Sequence, residues 1–89
     1  MKLKELPVNA VIESLSEEDK KIYLPGILFS GIVDTEMELA QVDNPNERDE
    51  CKNLIDELYL CGSNNGINTF DLQLTVAQSL PIALEAEGI

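Results

Sequence analysis

The sequence contains no histidine, no tryptophan and only two cysteines, and these absences exclude several kinds of catalytic site. Histidine is the usual general base and metal ligand, so serine–histidine and cysteine–histidine nucleophile systems cannot form. Cys51 and Cys61 alone cannot supply the four ligands of a structural zinc site. No phosphate-binding Gly-x-x-x-x-Gly-Lys motif is present. We therefore expect no enzyme and no bound metal or cofactor.

Basic residues are also scarce. Six lysines and arginines stand against seventeen acids, which gives a formal net charge of -11. Residues 34–52 carry seven acids and two bases, and residues 53–89 carry five acids and no base. Phosphate contacts need a basic patch, and base stacking needs aromatic rings, of which the chain has only two tyrosines and two phenylalanines. We expect no direct binding of nucleic acid.

Long apolar runs are missing as well. The longest, residues 22–33, is interrupted by Pro25, Gly26, Ser30 and Gly31, and it falls short of the roughly 20 residues that a membrane span requires. The first fifteen residues contain no apolar core of a secretory signal. If the two cysteines share one helix, they lie about 15 Å apart along its axis, too far for a disulfide. We expect a cytoplasmic protein with reduced thiols and no membrane contact.

The spacing of apolar residues predicts one small acidic domain over residues 1–89, all-α, with four or five short helices. A first helix is expected over residues 7–14. Ser16 followed by three acids resembles a capping box and predicts a helix that starts there. Pro25 predicts a break or a kink at residues 24–26, with a further helix over residues 27–42.

The clearest helix is predicted over residues 47–61, with Asn46 as its N-cap and Gly62 as the residue that ends it. Its apolar positions recur at steps of three and four residues, and they define one buried face. The expected members of that face are Cys51, Leu54, Ile55, Leu58 and Cys61.

Two segments, residues 33–39 and 69–76, also alternate between apolar and polar residues, which is the spacing of a half-buried strand. They leave an α+β domain open as the alternative. A helix competes for residues 69–76, because Asn68 is placed to cap it onto Asp71. Pro81 predicts a break at Leu80 and a last helix over residues 81–87 that Gly88 closes.

The acids of the central segments predict an interaction surface. If residues 27–42 and 47–61 form an antiparallel hairpin, their outer faces gather carboxylates on one general side, where they attract a partner protein with a basic surface. Tyr59 or Leu60 is expected to supply an apolar anchor at the edge. The expected partner-binding carboxylates are those of Asp34, Glu36, Glu38, Asp49, Glu50, Asp56 and Glu57.

The function expected from this pattern is a non-enzymatic inhibitor or regulator that occupies the nucleic-acid-handling surface of another protein. It resembles in class, without a shared motif, the small acidic DNA mimics that phages and mobile elements direct against restriction, CRISPR or transcription machinery. The alternative is a homo-oligomeric structural or assembly factor, or chaperone, that binds through an apolar face. A homodimer is expected to use the N-terminal half or the final helix, away from the acids of residues 34–57. A third interpretation is that the acidity only keeps a small protein in solution.

Overall fold

A computed structural model describes residues 14–88 as three helices packed into a small bundle. Helix α1 spans Glu17–Gln41, α2 spans Pro45–Asn64 and α3 spans Thr69–Ala86. The short connections make successive helices antiparallel, so α1 and α3 run in the same direction. The predicted all-α bundle is confirmed, but these 75 residues form three helices rather than four or five, and no strand. The helix expected over residues 7–14 lies, apart from Ser14, outside the described residues.

The predicted start of α1 is confirmed. The Ser16 hydroxyl accepts a hydrogen bond of 3.1 Å from the backbone N–H of Asp19. Three acids fill the first turn, where the positive end of the helix dipole favours them. All the groups involved lie within one turn of each other, so the local sequence determines this helix end.

Neither internal proline breaks its helix. Helix α1 continues through Pro25, which leaves a kink as the surviving alternative there, and the break predicted at Pro81 is wrong because α3 continues through it. A proline removes one backbone donor and leaves the carbonyl four residues earlier without its helical partner. Those carbonyls belong to Lys21 and Ala77, which are exposed, as are both prolines. The freed acceptors are therefore open to water, and the opposite faces of the helices still pack.

The predicted boundaries of α2 are shifted at its start. The N-cap is Asn44 rather than Asn46, because the Asn44 side-chain oxygen accepts from the N–H of Asn46 at 2.9 Å and of Glu47 at 3.3 Å. Pro45 is the first helical residue, where its missing donor costs no helical bond.

The prediction that Gly62 ends α2 is also wrong. The helix runs on to Asn64, and the left-handed turn beyond it falls at Gly66, whose φ is +78°. Gly62 is buried, and a Cβ placed there would lie 3.2 Å from Cδ1 of Leu28. This glycine allows α2 to approach α1 closely.

Residues 69–76, left open between strand and helix, form the first part of α3. The Asn68 side chain accepts from the N–H of Asp71 at 3.2 Å, as the helical alternative predicted. The apolar alternation has another cause, since α3 is apolar on two sides. Leu72 and Val76 are buried, whereas Phe70 and Leu74 are exposed. The strand alternative is wrong here and at residues 33–39, which lie within α1.

The core draws on all three helices, and α1 lies at its centre because it packs against both α2 and α3, which contact each other little. The predicted apolar face of α2 is confirmed, with Cys51, Ile55 and Leu58 buried and Leu54 and Cys61 half-buried. The buried cluster consists of Leu24, Leu28, Ile32, Val33, Ile55, Leu58, Leu72 and Val76.

Candidate interaction surface

Arg48, near the start of α2, is turned toward the end of α1 rather than toward the acids of its own helix. Its guanidinium Nη1 donates to the carbonyl oxygens of Leu39 at 2.9 Å and Val42 at 3.0 Å. These carbonyls lie at the negative end of the α1 dipole. One of the two basic residues of α2 is thereby engaged inside the fold, and the other, Lys52, is exposed.

The exposed side of α2 carries four of the predicted carboxylates. We call this set, Asp49, Glu50, Asp56 and Glu57, the acidic face of α2, and all four residues are exposed. It lies opposite the buried side chains of α2. Asp49, Asp56 and Glu57 have no ion-pair partner within the described part of the chain.

Leu60 belongs to the same side of α2. At about 100° per residue, Asp49, Asp56 and Leu60 fall on one stripe along the helix, and Glu50 and Glu57 follow the adjacent stripe. The Leu60 side chain is 60 % exposed. Leu60 is thus an exposed apolar side chain beside the carboxylates of this face.

The three acids predicted on α1 do not join one surface. Asp34 is exposed, whereas Glu36 and Glu38 are half-buried. Asp34 and Glu38 are four residues apart and share a side of α1, but Glu36 is rotated by about 200° from Asp34. Glu36 lies near enough to Tyr59 of α2 for its charge to raise that residue's pKa, whereas Asp34 and Glu38 lie on a different side of α1. The structure therefore brings together the four α2 carboxylates and not all seven.

Tyr59 differs from Leu60 as a candidate anchor. It is half-buried and packs against the core cluster. Its burial, and secondarily the carboxylate of Glu36, raise the pKa of Tyr59 above its ordinary value. Leu60 is thus the more accessible of the two predicted anchors.

Sequence reasoning did not find a cavity of about 220 Å³ at the start of α1. It forms between the first turns of α1 and the loop that joins α2 to α3, two segments too distant in the sequence for a local pattern to reveal. Lys20 and Lys21 line it, and the ammonium of Lys20 lies 3.5 Å from a carboxylate oxygen of Glu17. The remaining lining residues are Glu17, Leu24, Pro25, Asn65, Gly66 and Ile67.

Two other kinds of site are absent from the described range. In residues 14–88, no three cysteine, aspartate or glutamate side chains come close enough to hold a metal ion. None of the helices α1 to α3 is long and apolar enough to cross a membrane. Comparisons with protein-family models, curated proteins and solved structures found no match.

Proposed function

We propose that this protein is a non-enzymatic acidic inhibitor or regulator whose α2 face docks on the basic, nucleic-acid-handling surface of a partner protein. The observation that supports this most is the position of Arg48. Because its guanidinium is engaged by the carbonyls of Leu39 and Val42, it does not neutralise the acids of its own helix. Lys52 is the remaining base of α2.

The acidic face presents its negative charge in two places along α2. The carboxylates form two pairs of neighbouring residues, Asp49 with Glu50 and Asp56 with Glu57. The pairs are seven residues apart, which is two helical turns or about 10 Å along the helix axis. A basic groove that normally accepts phosphates can therefore meet two clusters of negative charge on one side of this helix.

Leu60 gives the same face an apolar contact. Charged side chains at an interface mainly speed encounter and exclude wrong partners, whereas buried apolar anchors contribute more of the affinity. We infer that the carboxylates orient the partner and that Leu60 enters a pocket beside its basic groove.

The test is a pull-down from cell lysate with the tagged full chain at about 50 mM and about 500 mM salt, followed by mass spectrometry. We expect a nucleic-acid-binding protein that is retained at low salt only and is displaced by added DNA. A retained partner that is indifferent to both salt and DNA would contradict the proposal.

Matched double variants separate the acidic face from net charge. Asp56→Asn with Glu57→Gln neutralises two acids of the face, and we expect partner recovery to fall by about tenfold or more. Glu85→Gln with Glu87→Gln removes the same charge at the exposed end of α3 and should leave recovery unchanged. Equal losses in both variants would show that net charge alone drives the interaction.

A further inference from the structure

Helix α3 has a second apolar face that no described residue covers. We call the residues Phe70, Leu74, Ala77 and Pro81 the outer stripe of α3. They follow one another at steps of four, three and four residues, so they lie within about 60° of the helix circumference. All four are exposed, and Phe70 retains 65 % of its accessible surface. The buried residues Leu72 and Val76 lie on the other side of the helix.

The outer stripe lies in an uncharged part of the chain. Residues 72–84 contain no charged side chain in a chain of formal net charge -11, and Asp71 and Glu85 lie just beyond the two ends of that interval. The acidic face belongs to α2, which contacts α3 little, so the two surfaces are on different helices and separate. Two copies that meet along the outer stripe therefore keep their acidic faces out of the interface.

We propose that a second copy of this chain occupies the outer stripe, with α3 packed against α3 in a two-fold dimer. The same apolar patch then serves both subunits, as a two-fold interface requires. A basic partner gains nothing from an uncharged stripe, whereas an identical uncharged stripe buries Phe70 and Leu74 without desolvating a charge.

The size of the stripe sets the strength expected of this dimer. From Phe70 to Pro81 the stripe extends about 16 Å, and a helix face about 10 Å wide offers on the order of 200 Å² per copy over that length. A standard stable interface buries roughly 800 Å² per partner. The dimer is therefore weak and forms as the concentration rises.

Salt distinguishes this contact from the one made by the acidic face. Added salt screens the repulsion between two negatively charged copies and leaves the apolar contact intact or stronger. The α3 dimer should tighten with salt, whereas the binding of a basic partner should weaken. Either proposal can therefore fail without the other.

The experiment is sedimentation velocity on the full chain over about a hundredfold range of concentration, at low and high salt. We expect the mass to rise from 9.8 kDa toward that of a dimer, at lower concentration in high salt. A monomer at every concentration and salt would overturn the proposal. That result would mean that the stripe is occupied by another part of the chain or by a different protein, and not by a second copy.

Substitutions locate the interface. Phe70→Gln and Leu74→Gln each keep the net charge and should weaken dimerisation by about tenfold or more. Ile22→Gln is the matched control, because Ile22 is 67 % exposed on α1 and lies outside the stripe. Circular dichroism checks that each variant is folded. Equal weakening by Ile22→Gln, or no weakening by the two α3 variants, would also overturn the assignment.

Discussion

The guanidinium of Arg48 donates to the carbonyl oxygen of Leu39 at 2.9 Å. A side chain from the first turns of α2 therefore caps a carbonyl in the last turn of α1. A second bond of 3.0 Å reaches Val42 in the connection between the helices. The last turn of α1 has no basic residue of its own, and Arg48 supplies the positive charge that a helix C-terminus favours. The contact holds the start of α2 against the end of α1. It also keeps the Arg48 guanidinium away from the acidic face.

Replacement of this arginine should therefore destabilise the fold. For Arg48→Gln we expect the free energy of unfolding to fall by about 1–3 kcal/mol, because two charge-assisted hydrogen bonds are lost. Lys52→Gln removes the same charge from an exposed position and should change stability by less than about 0.5 kcal/mol. Urea denaturation measures both. Similar losses in the two variants would mean that Arg48 acts through net charge rather than through these bonds.

Two helical glycines should respond in opposite ways to alanine. Gly26 has no neighbouring atom within 4 Å of an added Cβ, so Gly26→Ala should raise the free energy of unfolding by about 0.5–1 kcal/mol. At Gly62 the added Cβ would lie 3.2 Å from Cδ1 of the fully buried Leu28, which would have to shift within the core. We expect Gly62→Ala to lower stability by about 1–2 kcal/mol. Equal stabilisation of both variants in urea denaturation would contradict a close approach of α2 to α1.

Pro81 interrupts the hydrogen bonding of α3 on its exposed side. Pro81→Ala restores a backbone donor for the carbonyl of Ala77 and should stabilise the protein by about 1–3 kcal/mol. Part of this gain is offset, because the unfolded chain gains conformational entropy when the proline is removed. Thermal unfolding at low protein concentration measures the effect. A lower midpoint would contradict the view that the freed Ala77 carbonyl costs the helix stability.

Tyr59 makes stability depend on alkaline pH. Its pKa is raised in the folded protein by burial and by Glu36, so the unfolded chain loses this proton first. The contribution is fully present below the unfolded pKa of about 10 and is lost as pH rises through the folded pKa. We expect the free energy of unfolding to fall above about pH 10, and Tyr59→Phe to remove part of that fall. Identical pH profiles for the two proteins would contradict the raised pKa.

The pattern of residues 69–76 shows how one sequence can fit two structures. Phe70, Leu72, Leu74 and Val76 alternate as a strand would, yet they form two stripes of one helix. Alternation arises in a strand when one face is buried, and it also arises in a helix that is apolar on both sides. Because the sequence does not say which apolar side chains are covered, it did not resolve the two.

The candidate surface was predictable only where it lies on one helix. The order of apolar and acidic residues in α2 places Asp49, Asp56 and Leu60 opposite Cys51 and needs only the helical repeat. The predicted union with the acids of α1 depended on how α1 is rotated against α2. That rotation follows from packing between residues far apart in the chain, and it turns Glu36 toward Tyr59.

By itself, the sequence determined the cap at Ser16, the buried face of α2 and the concentration of negative charge, whereas it left the all-α class open against an α+β fold. Each of these depends on residues within a turn or two of one another, or on composition alone. Only the tertiary structure decided that Pro25 and Pro81 lie inside helices, that Gly62 is a packing contact and that Arg48 faces α1. There are two physical reasons. Water can bond to a carbonyl that a proline has left without a helical donor only where that carbonyl lies on an outer surface. Close packing and long side chains bring into contact groups that are far apart in the sequence.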